Sequence, residues 1–312
     1  MAQSSKHGLS WPKKLRLFWQ TTARSSKWAL SLTIVAIAIL AVLGRMWMLS
    51  EHQNDRAIQK SRIQPVIFVP GSSATIQRFN SLFTTLNSES KSSSGTHSIL
   101  KVQVNTDGSL SYSGHLSTSS RQPFIVVGFE RNQDNYPTVQ ADAQSLGTVM
   151  TDLQSKYHFR NFSAVGHSNG GLIWTDYLEN YYSATSFHIK TLMTLGTPFN
   201  FSESSTTKKT TMLSDFIDGS DELPSDLTVY SVAGSDDYTD DGTVNVQSVL
   251  SGKYIFQKKV AKYTQTTVSG DNAQHSKLPE NPEVVNLIRE LILDNKSGRP
   301  GESANKAKTA TP

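Results

Sequence analysis

Cysteine is absent from the sequence. Disulfides, thiolate metal sites and cysteine nucleophiles are therefore excluded. The absence does not decide the compartment, because a protein outside the cell can do without disulfides. With 312 residues, the chain has room for one large domain or two small ones.

A surplus of one charge is also lacking over most of the chain. The formal net charge is +4, but residues 1–27 contain six Lys or Arg residues and no acidic residue. Without those six, the rest of the chain has 24 of the 30 basic residues and all 26 acidic ones. The basic character belongs to an N-terminal arm, and the rest of the chain gives no electrostatic reason to expect nucleic-acid binding.

One uncharged run is long enough to be a membrane segment. Residues 28–44 read WALSLTIVAIAILAVLG, which as a helix would span roughly 26 Å, against a hydrocarbon core of roughly 30 Å. Arg45 can extend its side chain toward the interface, so the helix can continue to residue 49. We predict a transmembrane signal anchor at 28–49.

The charges on either side of this run indicate its orientation. Basic residues precede it, and Glu51 and Asp55 follow it. The positive-inside rule then places the arm (1–27) in the cytoplasm and the body outside, as in a single-pass protein of the cell membrane. A cleaved signal peptide is the alternative, but the basic region is long and a small-x-small cleavage site is missing. A buried helix of a soluble protein is a third interpretation.

The remaining chain divides by composition. The polar residues 50–63 indicate a linker, residues 64–294 a globular domain, and residues 295–312 a disordered tail without large apolar side chains. Helical spacing of apolar residues occurs at 139–153 and 284–292. Alternation on both sides of a Thr-Asp-Gly turn indicates a hairpin at 99–113.

Short runs rich in β-branched and aromatic residues predict buried parallel strands. Strands that alternate with helices predict an α/β fold, a mostly parallel sheet with helices on both faces. The predicted strands are 65–69, 124–129, 162–166, 191–196, 227–234 and, near an edge, the more polar 263–268.

A serine between glycines lies where one predicted strand passes into a helix. The pentapeptide GHSNG, centred on Ser168, follows FSAV and precedes GLIWTDYLENYY. The pattern G-x-S-x-G is weak evidence alone, but at a sharp strand-to-helix turn it is typical of a nucleophilic serine. An ordinary Ser-Gly turn is the alternative. His167 is adjacent to the serine and is expected to be structural.

A serine nucleophile requires a base and an acid, which in this fold follow in the order serine, acid, histidine. His275 is the one histidine C-terminal to the acidic loop after strand 227–234, and we predict it as the base. In that loop Asp241 heads the turn DGTV and is the favoured acid, with Asp237 and Asp240 as alternatives. A calcium site in the loop is a further possibility, although the spacing does not fit an EF-hand.

An oxyanion hole requires two preorganised N–H donors. One donor is expected to be the backbone N–H of Asn169, the residue after the serine. The second is expected in the loop FVPGSSAT, where Gly71 permits a close turn. Ser72 is the favoured donor and Ser73 the alternative.

At these residues the chain resembles the alpha/beta hydrolases, and more closely the cell-surface hydrolases of lactic acid bacteria and related Firmicutes. The resemblance extends from about residue 64 to about residue 293. Its landmarks are PVIFVPGSS, VNTDGSLSYSG, PFIVVGFERNQ, KYHFRNFSAVGHSNGG, LGTPFN, DDGTV and HSKLPENPEVVNLIRELI. The hairpin and the closing H-S-x-L-x-x-N-P segment are the more specific ones.

The resemblance implies Ser168 as nucleophile, His275 as base, Asp241 as acid and an extracytoplasmic location. Two departures stand out. Many relatives have His-Gly where this chain has Pro70 and Gly71, and many have Met in place of Asn169. The glycine and the backbone donors are unaffected by either change.

The expected function is therefore hydrolysis of carboxylic esters through an acyl-enzyme, with a small-molecule ester as substrate and without a cofactor or metal. A small cap at 199–226 with few large apolar residues favours short acyl groups. Amide or thioester cleavage could use the same triad, because fold does not determine the substrate. A non-catalytic surface binding or adhesion module on a hydrolase scaffold is the alternative from another class.

Overall fold

The computed structural model describes residues 24–89, 96–205 and 207–293. Most of the predicted basic arm (1–27) and the predicted tail (295–312) lie outside these residues. The chain divides into two units, residues 1–55 and residues 56–312. The second unit contains the sheet and all of the predicted site residues.

In its described residues, the first unit consists of most of one long helix, α1 (Arg24–Ser61). Large apolar side chains of this helix are exposed, Trp28 and Trp47 to 68% each. Within the described residues, α1 is the one helix long and apolar enough to cross a membrane. A signal sequence would pass the same test, so the finding agrees with the predicted anchor without distinguishing it from that alternative.

The segment 50–63, expected to be a linker, is helical as far as Ser61. Gly and Pro are missing from Arg45 to Gln64, so nothing in the sequence stops the helix before this point. Ile58, near its end, is fully buried in the core of the second unit. The segment expected to be a linker is therefore helical over most of its length.

The second unit is built on an eight-stranded sheet in the order β3-β2-β4-β1-β5-β6-β7-β8. Neighbouring strands are parallel except β2 and β3, which form the predicted hairpin and pair antiparallel. The more polar strand β8 lies at the far edge, as predicted. The strands are β1 (Val66–Val69), β2 (Ile99–Val104), β3 (Leu110–Gly114), β4 (Phe124–Phe129), β5 (Asn161–His167), β6 (His188–Leu195), β7 (Thr228–Ser235) and β8 (Lys262–Ser269).

Helices cover both faces of the sheet. They are α2 (Asn80–Glu89), α3 (Tyr136–Tyr157), α4 (Asn169–Asn180), α5 (Thr211–Gly219), α6 (Val246–Leu250), α7 (Lys253–Phe256) and α8 (Pro282–Ile288). Short 3₁₀ segments follow α5 (Ser220–Glu222) and precede α8 (His275–Glu280), and a π turn (Arg289–Leu293) follows α8.

Alternate residues of the central strands belong to different cores. Ile67 and Val69 of β1 pack in the cluster that contains side chains of α3 and α4. Val66 and Phe68 pack in the cluster that contains side chains of α2 and α8. Successive side chains of a strand point to opposite faces, so a strand covered on both sides is apolar throughout, as this one is.

The predicted cap segment 199–226 contributes α5 and the 3₁₀ turn after it. Its apolar residues are mostly buried in the core and not presented to the cavity described below. The residues with less than a tenth of their surface exposed are Phe199, Met212, Leu213, Phe216 and Leu223.

Candidate active site

Ser168 occupies the turn between β5 and α4. Its backbone has φ 56° and ψ −131°, a conformation that a residue with a side chain adopts only under constraint. Its N–H donates to the carbonyl of Leu195 at 2.8 Å, and its own carbonyl accepts from Thr197 Oγ1 at 3.0 Å. The neighbouring strand β6 and the residues after it therefore hold the strained turn in place.

Glycine is required at two positions around this turn because other backbone comes too close for a side chain. A Cβ on Gly170 would lie 2.0 Å from the carbonyl oxygen of Val69. A Cβ on Gly71 would lie 2.5 Å from Cβ and 3.0 Å from Oγ of Ser168. The loop after β1 thus passes directly against the serine.

His275 and Asp241 are joined twice. Oδ2 of Asp241 lies 2.7 Å from Nδ1 of His275, and the N–H of His275 donates to the carbonyl of Asp241, also at 2.7 Å. Asp241 is 1% exposed. Its other oxygen, Oδ1, accepts from the backbone N–H groups of Val244 at 2.7 Å and Thr243 at 3.1 Å, so the carboxylate orientation is fixed.

The two alternative acids have different partners. Asp237 uses Oδ1 to accept from Thr239 and from the N–H of Asp240. Asp240 accepts from the N–H of Gly242. Both stabilise the loop that carries Asp241 and neither contacts His275. Within the described residues, no group of three or more His, Asp or Glu side chains is placed to hold a metal ion.

His167 contacts His275, the predicted base. Its Nε2 lies 2.9 Å from the carbonyl oxygen of His275, and the two rings are 4.8 Å apart. Burial lowers the pKa of His167 well below its ordinary value, and His275 and Arg78 contribute in the same direction. His167 is therefore neutral, with its proton on Nε2, because only an N–H can donate to that carbonyl. The structural role predicted for His167 agrees with this geometry.

The loop after β1 provides the second candidate donor. The N–H of Ser73 points to Asn132, whose carbonyl and side-chain oxygens both lie 3.2 Å away. Ser73, the alternative, is thus engaged. Ser72 and Asn169 line the same cavity as Ser168, and Asn169 begins α4, where the first N–H groups lack partners within the helix. The arrangement favours Ser72 over Ser73.

Ser168, His275, Ser72 and Asn169 line a cavity of about 820 Å³. Most of the lining residues carry hydroxyl, amide or charged groups, but more of the lining surface is apolar than polar, and Tyr136, Pro198 and Phe201 are the larger residues that contribute to it. Asn169 is 3% exposed, and its amide donates to Asp134 on the wall at 2.7 Å. The hydroxyl of Ser168 makes no hydrogen bond with another described residue and is free in the cavity.

Three supporting residues were not predicted from the sequence. Arg78 donates to the carbonyl of Ser276 at 2.6 Å and pairs with Glu280 at 2.9 Å, so it anchors the segment after His275. Asn132 and Thr197 hold the loop after β1 and the serine turn. None lies in a pattern that sequence alone assigns to the site, because each acts through a backbone carbonyl or N–H that only the fold brings near.

The chain matches the sequence profile of a family described as alpha/beta hydrolase of unknown function (DUF915) over residues 53–295. It therefore belongs to that family, and the predicted fold is confirmed. The family supports hydrolase activity without defining a substrate. None of the curated proteins compared matches the sequence significantly.

Two solved structures are similar over most of the chain. A protein from Lactobacillus plantarum WCFS1, described as a "putative cell surface hydrolase", is 47% identical with a TM-score of 0.68. The match covers 74% of this chain and 92% of that one. A protein from Listeria innocua is 27% identical with a TM-score of 0.67, over 76% of this chain and 96% of that one.

Proposed function

We propose that the protein is a membrane-anchored, extracytoplasmic serine hydrolase that cleaves carboxylic esters with short acyl groups. The observation that carries the proposal is the buried Asp241 at 2.7 Å from His275, whose cavity is also lined by a serine on a strained strand-to-helix turn. An imidazole oriented by a buried carboxylate beside a serine is the arrangement that activates a hydroxyl.

In the proposed reaction, Ser168 Oγ attacks the ester carbonyl while Nε2 of His275 takes its proton. Asp241 fixes the proton of the imidazole on Nδ1 and stabilises the imidazolium. The N–H groups of Asn169 and Ser72 stabilise the oxyanion. The Ser168–His275 hydrogen bond is expected to form once substrate excludes water from the cavity, because such bonds tighten in the Michaelis complex.

Collapse of the tetrahedral intermediate releases the alcohol, which leaves with the proton from His275. Water then attacks the acyl-enzyme with His275 as base, and the acid and the free serine are the products. Each proton that is taken up is returned, so the cycle needs no cofactor or metal.

The proposed preference for short acyl groups rests on the cap segment. Its large apolar side chains are used in the core, so Phe201 is the one aromatic that the segment contributes to the lining of the cavity. A long alkyl chain gains roughly 0.8 kcal/mol per buried CH₂ where an apolar surface is available. Beyond Phe201 the cap segment adds little such surface to the cavity, so a long chain would gain little from contact with the cap.

The proposed location rests on α1. Its large apolar side chains between Trp28 and Leu49 are exposed, and the helix is long and apolar enough to cross a membrane. The relative from Lactobacillus plantarum is described as acting at the cell surface, which agrees with a domain outside the membrane.

A fluorophosphonate probe tests the nucleophile. The full-length protein in detergent is treated with the probe, with Ser168→Ala as control, and the adduct is located by mass spectrometry. We expect a stoichiometric adduct on Ser168 and faster hydrolysis of acetyl and butyryl esters than of long-chain esters.

The same experiment distinguishes the proposed hydrolase from a non-catalytic binding module. Absence of an adduct on the folded, lipid-reconstituted protein would mean that Ser168 is not activated, and the non-catalytic binding module would then be the better interpretation. Labelling with much faster turnover of long-chain esters would retain the hydrolase and overturn the short-acyl preference.

A further inference from the structure

A second pocket of about 400 Å³ lies beside the catalytic cavity, between the β2–β3 hairpin and the beginning of α3. Its lining carries side chains with hydroxyl, amide and charged groups. Its polar residues include Asn105, Thr106, Arg131, Gln133, Asp142 and Ser145.

The two pockets are adjacent. Asn135 lines both of them. A void of about 10 Å³ lies between them, bordered by Ser72 and Asn169 of the catalytic cavity and by Gln133 and Asp142 of the second pocket. A ligand held in the second pocket would therefore be next to the oxyanion side of the catalytic cavity.

Asp142 is the unusual group in the second pocket. It is 7% exposed, and its carboxyl makes no hydrogen bond with any described residue. Burial raises its pKa to about 7, and nearby Arg131 offsets this only in part. A buried carboxyl without donors is costly, so one that remains in a pocket wall is suited to a ligand that supplies the donors.

Neighbouring groups restrict the ligand. Asp142, when ionised, can only accept hydrogen bonds, whereas Arg131 can only donate them. Carboxylate and phosphate ligands would repel Asp142, and an ammonium would repel Arg131. Adjacent hydroxyl groups satisfy both, because each can donate to the carboxylate and accept from the guanidinium. The amide of Asn105 and the hydroxyl of Thr106 already donate to neighbouring residues, so their oxygens remain as acceptors for further hydroxyls. Gln133 adds a further amide.

We propose that the second pocket binds the carbohydrate part of the substrate, so that the preferred substrates are O-acylated oligosaccharides. This inference rests on the proposed ester hydrolysis and adds the class of alcohol that is released. A sugar in the second pocket would be joined to a neighbouring sugar whose ester lies at Ser168.

The test compares two esters of equal chemistry. Full-length protein in detergent is given O-acetylated cellotetraose or O-acetylated methyl glucoside, and acetate release is measured per ester group. We expect kcat/KM to be at least about tenfold higher for the tetrasaccharide, the equivalent of about 1.4 kcal/mol from the added contacts. Asp142→Leu, close in volume, and Arg131→Ala, at an exposed residue, should reduce this ratio to near one.

Two exposed residues away from the pocket provide matched controls. Asp218→Asn on α5 removes one negative charge and Arg121→Ala before β4 removes one positive charge. Both variants should show the same ratio of kcat/KM for the two esters as the unaltered protein. A ratio near one in the unaltered protein, with p-nitrophenyl acetate still hydrolysed, would overturn the carbohydrate inference alone.

Binding separates this inference from the proposed function. Cellotetraose without acyl groups should give saturation-transfer NMR signals with the Ser168→Ala variant and lose them when Arg131→Ala is added. If the NMR signals are present but p-nitrophenyl acetate is not hydrolysed, the proposed esterase activity is contradicted and the proposed carbohydrate site is supported. Missing signals together with a ratio near one would exclude a carbohydrate site.

Discussion

Oδ2 of Asp241 lies 2.7 Å from Nδ1 of His275, and the backbone of the same two residues is joined by a second 2.7 Å hydrogen bond. The proposed acid and the proposed base therefore belong to one small structural unit, although 34 positions separate them in the chain. A movement of one loop would carry the other along. The unit keeps the imidazole oriented toward the cavity in the absence of substrate.

Asp241→Asn should lower kcat by about 10⁴-fold, because the amide cannot hold the imidazole in the required tautomer. The fold should survive, since the amide oxygen can still accept from Thr243 and Val244 as the carboxylate oxygen does. Steady-state hydrolysis of p-nitrophenyl acetate measures the loss of kcat, and circular dichroism checks that the fold is retained.

Asp237→Asn is the matched control, since Asp237 lies in the same loop and its acceptor oxygen can be replaced by that of an amide. It should keep kcat within about twofold. Equal losses in the two variants would show that the loop as a whole, and not Asp241 as the acid, determines activity.

Gly71→Ala should slow fluorophosphonate labelling of Ser168 by about 10²-fold, the effect of a displacement near 1 Å at a reacting centre. The added Cβ would lie 2.5 Å from Cβ of Ser168, so the loop with Ser72 has to move away. Gly147→Ala in α3 is the control, because its Cβ would meet only ordinary contacts at 3.4 Å. An unchanged labelling rate in Gly71→Ala would mean that this loop does not shape the site.

The main elements were predictable because their signals are local. Strand β4 is a short apolar run rich in β-branched residues, and Ser168 lies in a G-x-S-x-G motif where a strand pattern changes to a helical one. The hairpin follows from a Thr-Asp-Gly turn between alternating residues. Such features depend on the spacing of neighbouring residues, which the sequence displays directly.

Other features depend on distant parts of the chain. The N–H of Ser73, the alternative donor, is engaged by Asn132, about 60 positions away, and this contact favours Ser72 in the proposed role. The role of Arg78 depends on carbonyl and carboxylate groups about 200 positions away. The polar composition of residues 50–63 predicts a linker, whereas α1 continues to Ser61 because no helix breaker interrupts it.

His167→Ala should lower kcat by about tenfold or more and leave KM nearly unchanged, since the ring contacts the base and not the ester. The substitution removes the N–H that donates to the carbonyl of His275 and leaves that acceptor unpaired, a cost of about 1–3 kcal/mol. His167→Gln, whose amide can donate from a similar position, should recover part of kcat. A change in KM alone would contradict this positioning role.

Glu179→Gln should reduce the pH dependence of stability. Burial raises the pKa of Glu179 to about 9, with a further contribution from Asp176, and its Oε1 has no partner among the described residues. Between pH 4.5 and pH 9 the folded protein keeps a proton that the unfolded chain releases. Stability therefore falls as the pH rises through this window, and the fall ends above about pH 9.

Each pKa unit corresponds to about 1.4 kcal/mol, so the loss between pH 5 and pH 8.5 amounts to several kcal/mol. Asp176, with a pKa raised to about 6 by burial, adds to the loss only below about pH 6. Melting temperatures in detergent at pH 5, 7 and 8.5 should thus fall steeply for the unaltered protein and less steeply for Glu179→Gln. Glu222→Gln, at an exposed carboxylate in the segment after α5, should follow the unaltered protein. Parallel curves for all three proteins would mean that Glu179 ionises in the folded state as it does in water.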